Sequence, residues 1–236
     1  MPGSPLLVVT REAGVNSVAA MGLPDTVVVR EVPATQTTFR DQSEVRSDIQ
    51  SLADRGPFAT LVVTSVREAD YVDLVREALA DDADVATVGE ACAAMLDSHG
   101  YTVTHLSSTS AGELGTQITR GPALILGAAD MRPELPAALT QGALSFEHVW
   151  CYQTHPVTLS DADRELLARA TYLHVAAPSA WRVVASAVLP ETVVLVPGVT
   201  TRDEVMRGHA NVVIARTSEI GAVITAREES DSGARA

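Results

Sequence analysis

The chain has 236 residues, of which 46% are apolar and 20% charged, so it carries enough apolar side chains for a buried core. Its formal net charge of −13 opposes binding to nucleic acid or to anionic membranes, because phosphate contacts need clustered basic residues. All 17 basic residues are arginine, and the lack of lysine excludes a Schiff-base lysine and a P-loop lysine.

The distribution of apolar residues and cysteines predicts a cytoplasmic protein. No apolar run approaches the roughly 20 residues that a membrane-spanning helix needs. The first residues, MPGSPLLVV, lack the basic and long apolar regions of a signal peptide. Cys92 and Cys151 are too few for a disulfide framework, so we expect both to be reduced.

Short apolar runs rich in β-branched residues alternate with helical patterns, which predicts an α/β protein with parallel sheets flanked by helices. The predicted strands are, in chain order, Leu6–Val9, Val27–Arg30, Ala59–Val63, Val85–Val88, Tyr101–His105, Ala123–Leu126, Glu147–Thr154, Thr171–Val175, Val193–Val196 and Asn211–Ala215.

The helical patterns between these strands have recognisable ends. Predicted helices cover Glu44–Arg55, a segment capped by Ser65 that continues through Leu79, and Glu90–His99. Glycines follow the first and third of them, as is common where a helix stops. The acidic side chains on the helix after Ser65 predict a solvated face formed by Glu68, Asp70, Asp73 and Glu77.

The second half of the chain repeats patterns of the first half in the same order. The segment around Gly89 resembles that around Gly198, Thr109 matches Thr217, and LVVTSVREA resembles LHVAAPSAW. Such ordered matches predict two similar, flavodoxin-like lobes, and no repeat of 20–50 residues predicts a solenoid.

Neither terminal segment is long enough to form a lobe alone, so we expect the two ends of the chain to combine. Residues 1–33 plus 156–236 are predicted to form one discontinuous lobe and residues 37–150 the other. The linkers 34–36 and 151–155 would cross between them as extended segments. A cleft between two lobes is a preferred position for a ligand.

Small and hydroxyl-bearing residues recur where predicted strands end and helices begin. In parallel sheets, ligands bind at these carboxyl ends, where helix N-termini favour anions. Ordinary helix capping is the alternative explanation for any single turn. The turn residues are Thr10, Arg11, Thr64, Ser65, Gly89, Ala91, Cys92, Gly127, Arg132, Ser179, Gly198, Thr200 and Thr201.

These motifs together resemble the uroporphyrinogen-III synthase family. The segments LLVVTR, LVVTSVREA, TVGEACAAMLDSHGYTV, ALILGAADMRPEL, VWCYQT, APSAW and VPGVTTRDEV occur in the order and spacing of that family, over residues 6–226. The resemblance implies an enzyme that converts the linear tetrapyrrole hydroxymethylbilane to uroporphyrinogen III, with inversion of ring D and loss of water. We expect the chain to act as a monomer. It also implies that no metal or cofactor is needed.

The resemblance further implies roles for particular residues. Tyr152 matches the tyrosine of the family's YxT motif and would assist departure of the hydroxyl group, although it could instead be a buried strand residue. Thr200 and Thr201 match the threonine-rich turn of the family. The other turn residues named above would bind substrate, mainly through backbone amides and hydroxyl groups.

Two departures from the family pattern leave a second function open. Cys92 stands where relatives commonly have threonine, and Ala177 lacks the hydroxyl that relatives place before the proline. A non-catalytic protein of the same family, binding a tetrapyrrole or a small anion, is therefore the alternative. An acidic regulatory domain with a flavodoxin-like lobe is a third hypothesis.

Other common chemistries lack their sequence signatures. The chain contains no GxSxG motif for a nucleophile elbow and no GxGxxG motif after its first strand. Its six histidines are scattered, without the spacing of a zinc site.

Overall fold

A computed structural model describes residues 4–12 and 18–233, with side chains described up to residue 230. Its residue contacts divide the chain into two compact units. The first unit contains residues 1–37 and 155–236, and the second contains residues 38–154.

The elements are numbered in chain order. The strands are β1 (Leu6–Val9), β2 (Val28–Glu31), β3 (Thr35–Phe39), β4 (Phe58–Val63), β5 (Leu79–Val88), β6 (His105–Ser107), β7 (Ala123–Ala128), β8 (Phe146–Pro156), β9 (Tyr172–His174), β10 (Val193–Val196) and β11 (Val212–Ile214). The α-helices are α1 (Gln42–Ala53), α2 (Glu90–Ser98), α3 (Ala111–Gln117), α4 (Glu134–Gln141), α5 (Asp161–Ala168), α6 (Pro178–Val184), α7 (Val199–Val205) and α8 (Ile220–Gly233).

Short 3-10 helices complete the structure, and one of them is long for its type. They cover Val18–Met21, Val66–Ala78, Ala185–Ala187 and Thr217–Glu219. Within the described ranges, no helix combines the length and the apolar character needed to cross a bilayer.

Each unit contains one sheet, and every strand pair whose register is described is parallel. The strand order is β11-β10-β9-β1-β2 in the first sheet and β3-β8-β7-β4-β5-β6 in the second. The first order corresponds to 2-1-3-4-5, the flavodoxin-like arrangement. The α/β class with parallel sheets flanked by helices is therefore confirmed.

The repeat in the sequence corresponds to a repeat in topology. Its matched segments align β4, β5 and β6 with β9, β10 and β11. Under this alignment, the order β6-β5-β4-β7-β8 in the second sheet equals β11-β10-β9-β1-β2 in the first. The strands equivalent to β1 and β2 come last along the chain in the second unit. The two sheets therefore have the same strand order in space but a different order along the chain.

Helices cover both faces of each sheet, which explains the nearly continuous apolar strands. In the first unit, Val8 and Leu173 belong to the core on one face, whereas Leu7 and Tyr172 belong to that on the other. In the second unit, alternate residues of β4 and β7 divide in the same way between two cores.

Several predicted elements differ from the structure. The segment predicted as a strand at Tyr101–His105 forms a strand only from His105, although the Thr104 amide already donates to the Val85 carbonyl. Tyr101 instead turns its ring inward and donates its hydroxyl to the Val72 carbonyl. β3 is a strand that the sequence does not predict, since its residues TQTTF alternate weakly in polarity and are largely exposed.

The prediction of a solvated acidic face is wrong at Glu68, whose side chain is fully buried. The segment is a 3-10 helix of about three residues per turn, and Glu68 occupies its third position, where the carboxyl group turns back to the helix start. Asp70, Asp73 and Glu77 are not buried in this way, and the prediction stands for that part of the helix.

Candidate functional site

Ser65 begins the 3-10 helix directly after β4 and takes part in two reciprocal hydrogen bonds. Its backbone is extended, with φ −149 and ψ 147, and its hydroxyl oxygen accepts from the Arg67 amide at 3.2 Å. Its own amide donates to Oε2 of Glu68 at 2.7 Å. This capping box satisfies amides that the helix leaves unpaired and anchors the Glu68 carboxyl at the carboxyl end of β4.

The buried carboxyl of Glu68 has an unusual protonation equilibrium. Burial raises its pKa from 4.5 to about 8, although the amides of Ser65 and Glu68, the charge of Arg67 and the Tyr152 hydroxyl all act to lower it. Among the residues that the structure describes, no group hydrogen-bonds to its other oxygen, Oε1. Glu68 is therefore mainly a neutral carboxylic acid at pH 7.

A β-bulge in β8 determines how Tyr152 is presented. Gly127 of β7 pairs with Trp150, but the next residue, Ala128, pairs with Tyr152, so Cys151 is an additional residue on β8. Cys151 and Tyr152 both pack in the same core as a result. Bulges re-aim side chains in this way, and they are common next to active sites.

The ring of Tyr152 belongs to the core, and the side chain is 7% exposed. The Phe39 ring lies 6.0 Å away between centroids and is tilted by 49°. The guanidinium carbon of Arg67 lies 5.6 Å from the centre of the Tyr152 ring. These contacts hold the phenol in one orientation beside the helix that carries Glu68.

The Tyr152 hydroxyl is held in its neutral, donor form. Burial raises the pKa of this phenol above 10.0, and the charge of Glu68 raises it further. Polar contacts with the side chains of Ser65 and Arg67, together with the Arg67 charge, oppose that rise. A neutral phenol surrounded by protein is suited to donating a proton to a bound group.

The ionisation of Cys92 and of Cys151 is affected by the charge of Glu68, and both thiols are poor nucleophiles. Burial, followed by the charge of Glu68, raises the pKa of Cys151 to about 12. Burial also raises the pKa of Cys92, where a hydrogen bond with Thr87 opposes the rise and the charge of Glu68 adds to it. Both thiols are free and protonated at neutral pH, so they shape the site without reacting.

The structure brings together part of the residue set predicted for the second unit. Ser65, Cys92 and Tyr152 all interact with Glu68. Gly89 begins α2 with φ +78, a conformation that favours glycine, and the exposed Ala91 follows it. Thr64 is half-buried immediately before Ser65.

Gly127 and Arg132 differ from this group. The sequence predicts a turn beginning at Gly127, but β7 continues through Ala128. Gly127 therefore lies within the strand, beside the bulge. A Cβ atom at Gly127 would lie 3.5 Å from Nε2 of His148. Arg132 is exposed just before α4, and no contact with the Glu68 group is described for it.

In the first unit, the predicted residues lie at the carboxyl ends of β1, β9 and β10. The buried Thr10 hydroxyl donates to the His174 carbonyl at 2.9 Å. Burial lowers the pKa of His174 to about 4, and the nearby charge of Arg11 contributes to that shift. Gly198 begins α7, in which Thr200 is exposed and Thr201 is buried. Ser179 is exposed in the first turn of α6.

Glu68 is the residue of this group that the predicted site lacked. The signal was present as the spacing Ser65-Val66-Arg67-Glu68, a capping-box sequence with glutamate at its third helical position. In the described ranges, no cluster of three or more histidine, cysteine or acidic residues is arranged to hold a metal ion.

Comparisons with known proteins point to one family. A sequence model of the family described as uroporphyrinogen-III synthase HemD matches residues 26–225. No curated protein sequence matches the chain significantly.

Solved structures from two bacteria are similar to this chain over nearly its whole length. A mutant uroporphyrinogen III synthase from the extremely thermophilic bacterium Thermus thermophilus has a TM-score of 0.71 at 13% identity, covering 97% of this chain and 99% of that one. A uroporphyrinogen-III synthetase from Helicobacter pylori has a TM-score of 0.59 at 16% identity, covering 95% and 99%. None of these matches favours a non-catalytic binding protein.

Proposed function

Because the chain belongs to the uroporphyrinogen-III synthase family, we propose that it cyclises hydroxymethylbilane to uroporphyrinogen III, inverting ring D and releasing water. The family match over residues 26–225 is the observation that carries this proposal. The arrangement of Tyr152 among Ser65, Arg67 and Glu68 supplies a chemical basis for the first step.

That step is the departure of the hydroxyl group from the terminal carbon of the substrate. The carbon–oxygen bond breaks, the electron pair leaves with the oxygen, and Tyr152 donates the proton that completes a water molecule. The remaining carbocation is stabilised by its pyrrole ring. A positioned general acid contributes roughly 10²–10⁴-fold to the rate of such a step.

Ring closure then depends on orientation. The carbocation must meet the substituted position of ring D, and the proton that ring D finally releases balances the proton that Tyr152 gave. Holding reacting atoms near attack distance contributes about 7–11 kcal/mol. We assign this role to the turns that bind the acetate and propionate groups of the substrate.

The proposed substrate-binding residues are those predicted from the sequence. Most of them lie where a strand ends and a helix begins, a position whose amides and hydroxyl groups suit carboxylates. Because the net charge is −13, local binding must overcome long-range repulsion of the substrate. They are Thr10, Arg11, Ser179, Gly198, Thr200 and Thr201 in the first unit, and Thr64, Ser65, Gly89, Ala91, Cys92, Gly127 and Arg132 in the second.

We further propose that the chain acts as a cytoplasmic monomer without metal or cofactor and does not bind nucleic acid. The supporting observations are its acidic composition and two buried, free cysteines.

An isomer assay tests the proposed activity. Hydroxymethylbilane is generated in situ, the purified chain is added, and the products are separated as their oxidised porphyrins. We expect the type III isomer to exceed the type I background that forms spontaneously. Formation of type I alone, at every enzyme concentration, would refute the proposed activity.

A further inference from the structure

Glu68 is a fully buried acid whose two carboxyl oxygens differ in their hydrogen bonding. Oε2 is fixed by the Ser65 amide at 2.7 Å, whereas Oε1 has no hydrogen-bond partner in the part of the chain that the structure describes. Leaving a buried polar atom unpaired costs roughly 1–3 kcal/mol, so helix capping alone does not explain this arrangement.

The acid lies beside the proposed proton donor. Both side chains are buried, and the guanidinium carbon of Arg67, the residue before Glu68, lies 5.6 Å from the centre of the Tyr152 ring. The Tyr152 hydroxyl and the Glu68 carboxyl also influence the ionisation of each other, and the Ser65 amide holds the carboxyl in place. The bulge at Cys151 brings the phenol to this position, and the capping box brings the carboxyl there. The bulge and the capping box are independent features of the backbone, and together they position Tyr152 and Glu68.

We propose that Glu68 is a positioning residue for Tyr152, which keeps the phenol protonated and returns a proton to it after each turnover. This inference rests on the proposed function, in which Tyr152 donates a proton to the departing hydroxyl. The Tyr152 phenolate then takes the Glu68 proton, and the proton released by ring D restores Glu68. No oxidant, reductant or further reactant is needed.

The direction of this transfer follows from the acidities of the two groups. The pKa of Glu68 is about 8, and that of Tyr152 lies above 10.0, so a proton passes downhill from the carboxylic acid to the phenolate. The titratable and charged groups facing the carboxyl are Tyr152 and Cys151 from β8, Cys92 from α2 and Arg67 from its own helix. Both thiols are protonated below pH 8, which leaves Glu68 as the group that ionises first.

The first test measures the phenol without substrate. The ultraviolet titration of Tyr152 is obtained as the difference between the chain and its Tyr152→Phe variant, and is repeated with Glu68→Gln in both. Glutamine retains the capping box but removes the charge, so the pKa of Tyr152 should fall. The matched control is Glu77→Gln, an exposed position on the same helix, which should leave that titration unchanged.

The second test uses the dependence of type III formation on pH. The unsubstituted chain should lose kcat as pH rises through about 8, where Glu68 loses its proton. Glu68→Gln should lower kcat about tenfold at pH 7 and abolish that alkaline decline. Glu77→Gln should retain both.

A third measurement covers the case in which Glu68→Gln does not fold. The infrared carbonyl band of the protonated Glu68 should titrate at higher pH in Tyr152→Phe, since the hydroxyl lowers the pKa of Glu68. Unchanged Tyr152 and Glu68 titrations would overturn the inference even if type III product forms. Absence of type III product with shifted titrations would instead refute the proposed function and leave the coupling of the pair established.

Discussion

Replacing Glu68 with glutamine should change how the stability of the chain depends on pH. The folded state holds the Glu68 proton up to about pH 8, whereas an unfolded chain releases it near 4.5. The contribution of Glu68 to stability is therefore complete below pH 4.5 and is lost as pH rises to 8. At about 1.36 kcal/mol for each pKa unit, the loss amounts to about 5 kcal/mol as an upper value.

Urea unfolding of the chain and of Glu68→Gln, followed by circular dichroism between pH 4.5 and 9, measures this contribution. The difference between their free energies of unfolding isolates Glu68, because all other titrating groups are common to both proteins. We expect the variant to gain several kcal/mol relative to the original chain across this range. The exposed Glu77→Gln should show no such trend. A difference that is constant with pH would refute the buried, neutral carboxylic acid.

Three further predictions test other parts of the structure. Gly221→Ala would drive a Cβ into the carbonyl oxygen of Gly22 and should cost about 1–3 kcal/mol or more in thermal unfolding. Gly208→Ala, with open space around it, is the control. Ser65→Ala should cost about 1 kcal/mol in urea unfolding through the lost cap. His174 has a pKa lowered from 6.5 to about 4, so its contribution to stability is present above pH 6.5 and disappears as pH falls through 4. His174→Gln should therefore reduce acid destabilisation by up to about 3 kcal/mol.

The strands that the sequence predicts well are those buried on both faces. Leu6–Val9 and Val193–Val196 agree residue for residue with the structure, because an apolar run covered by helices on two sides has an unambiguous pattern. Edge strands lack that signal. β3 is mainly polar and exposed, and its pairing with β8 depends on residues far away along the chain.

The repeat within the sequence is informative because it reflects topology. Matching Gly89 with Gly198 aligns two strand-to-helix turns that follow corresponding strands of the two sheets. The pattern does not reveal that the second sheet takes its strands in a shifted order along the chain. That order is determined by which strands pair, and pairing is a property of the folded state.

The site could be predicted only in part for similar reasons. Sequence motifs predict that Tyr152 and Ser65 belong to the site. Their proximity, however, depends on the bulge at Cys151, which no local sequence pattern predicts. The acidic residues that follow on the same helix favour a solvated position for Glu68 as well. The S-x-x-E spacing indicates that the carboxyl turns back to the helix start, but its complete burial depends on tertiary packing, which a local pattern does not encode.

The most direct test of this account is the rate of type III formation by Tyr152→Phe. Tyr101→Phe is the matched control, because Tyr101 is also buried in the second unit and loses only a hydrogen bond to the Val72 carbonyl. We predict that kcat falls by roughly 10²–10⁴-fold in Tyr152→Phe and only slightly in Tyr101→Phe. A Tyr152→Phe variant that makes the type III isomer as fast as the unsubstituted chain would contradict the assignment of Tyr152 as the proton donor.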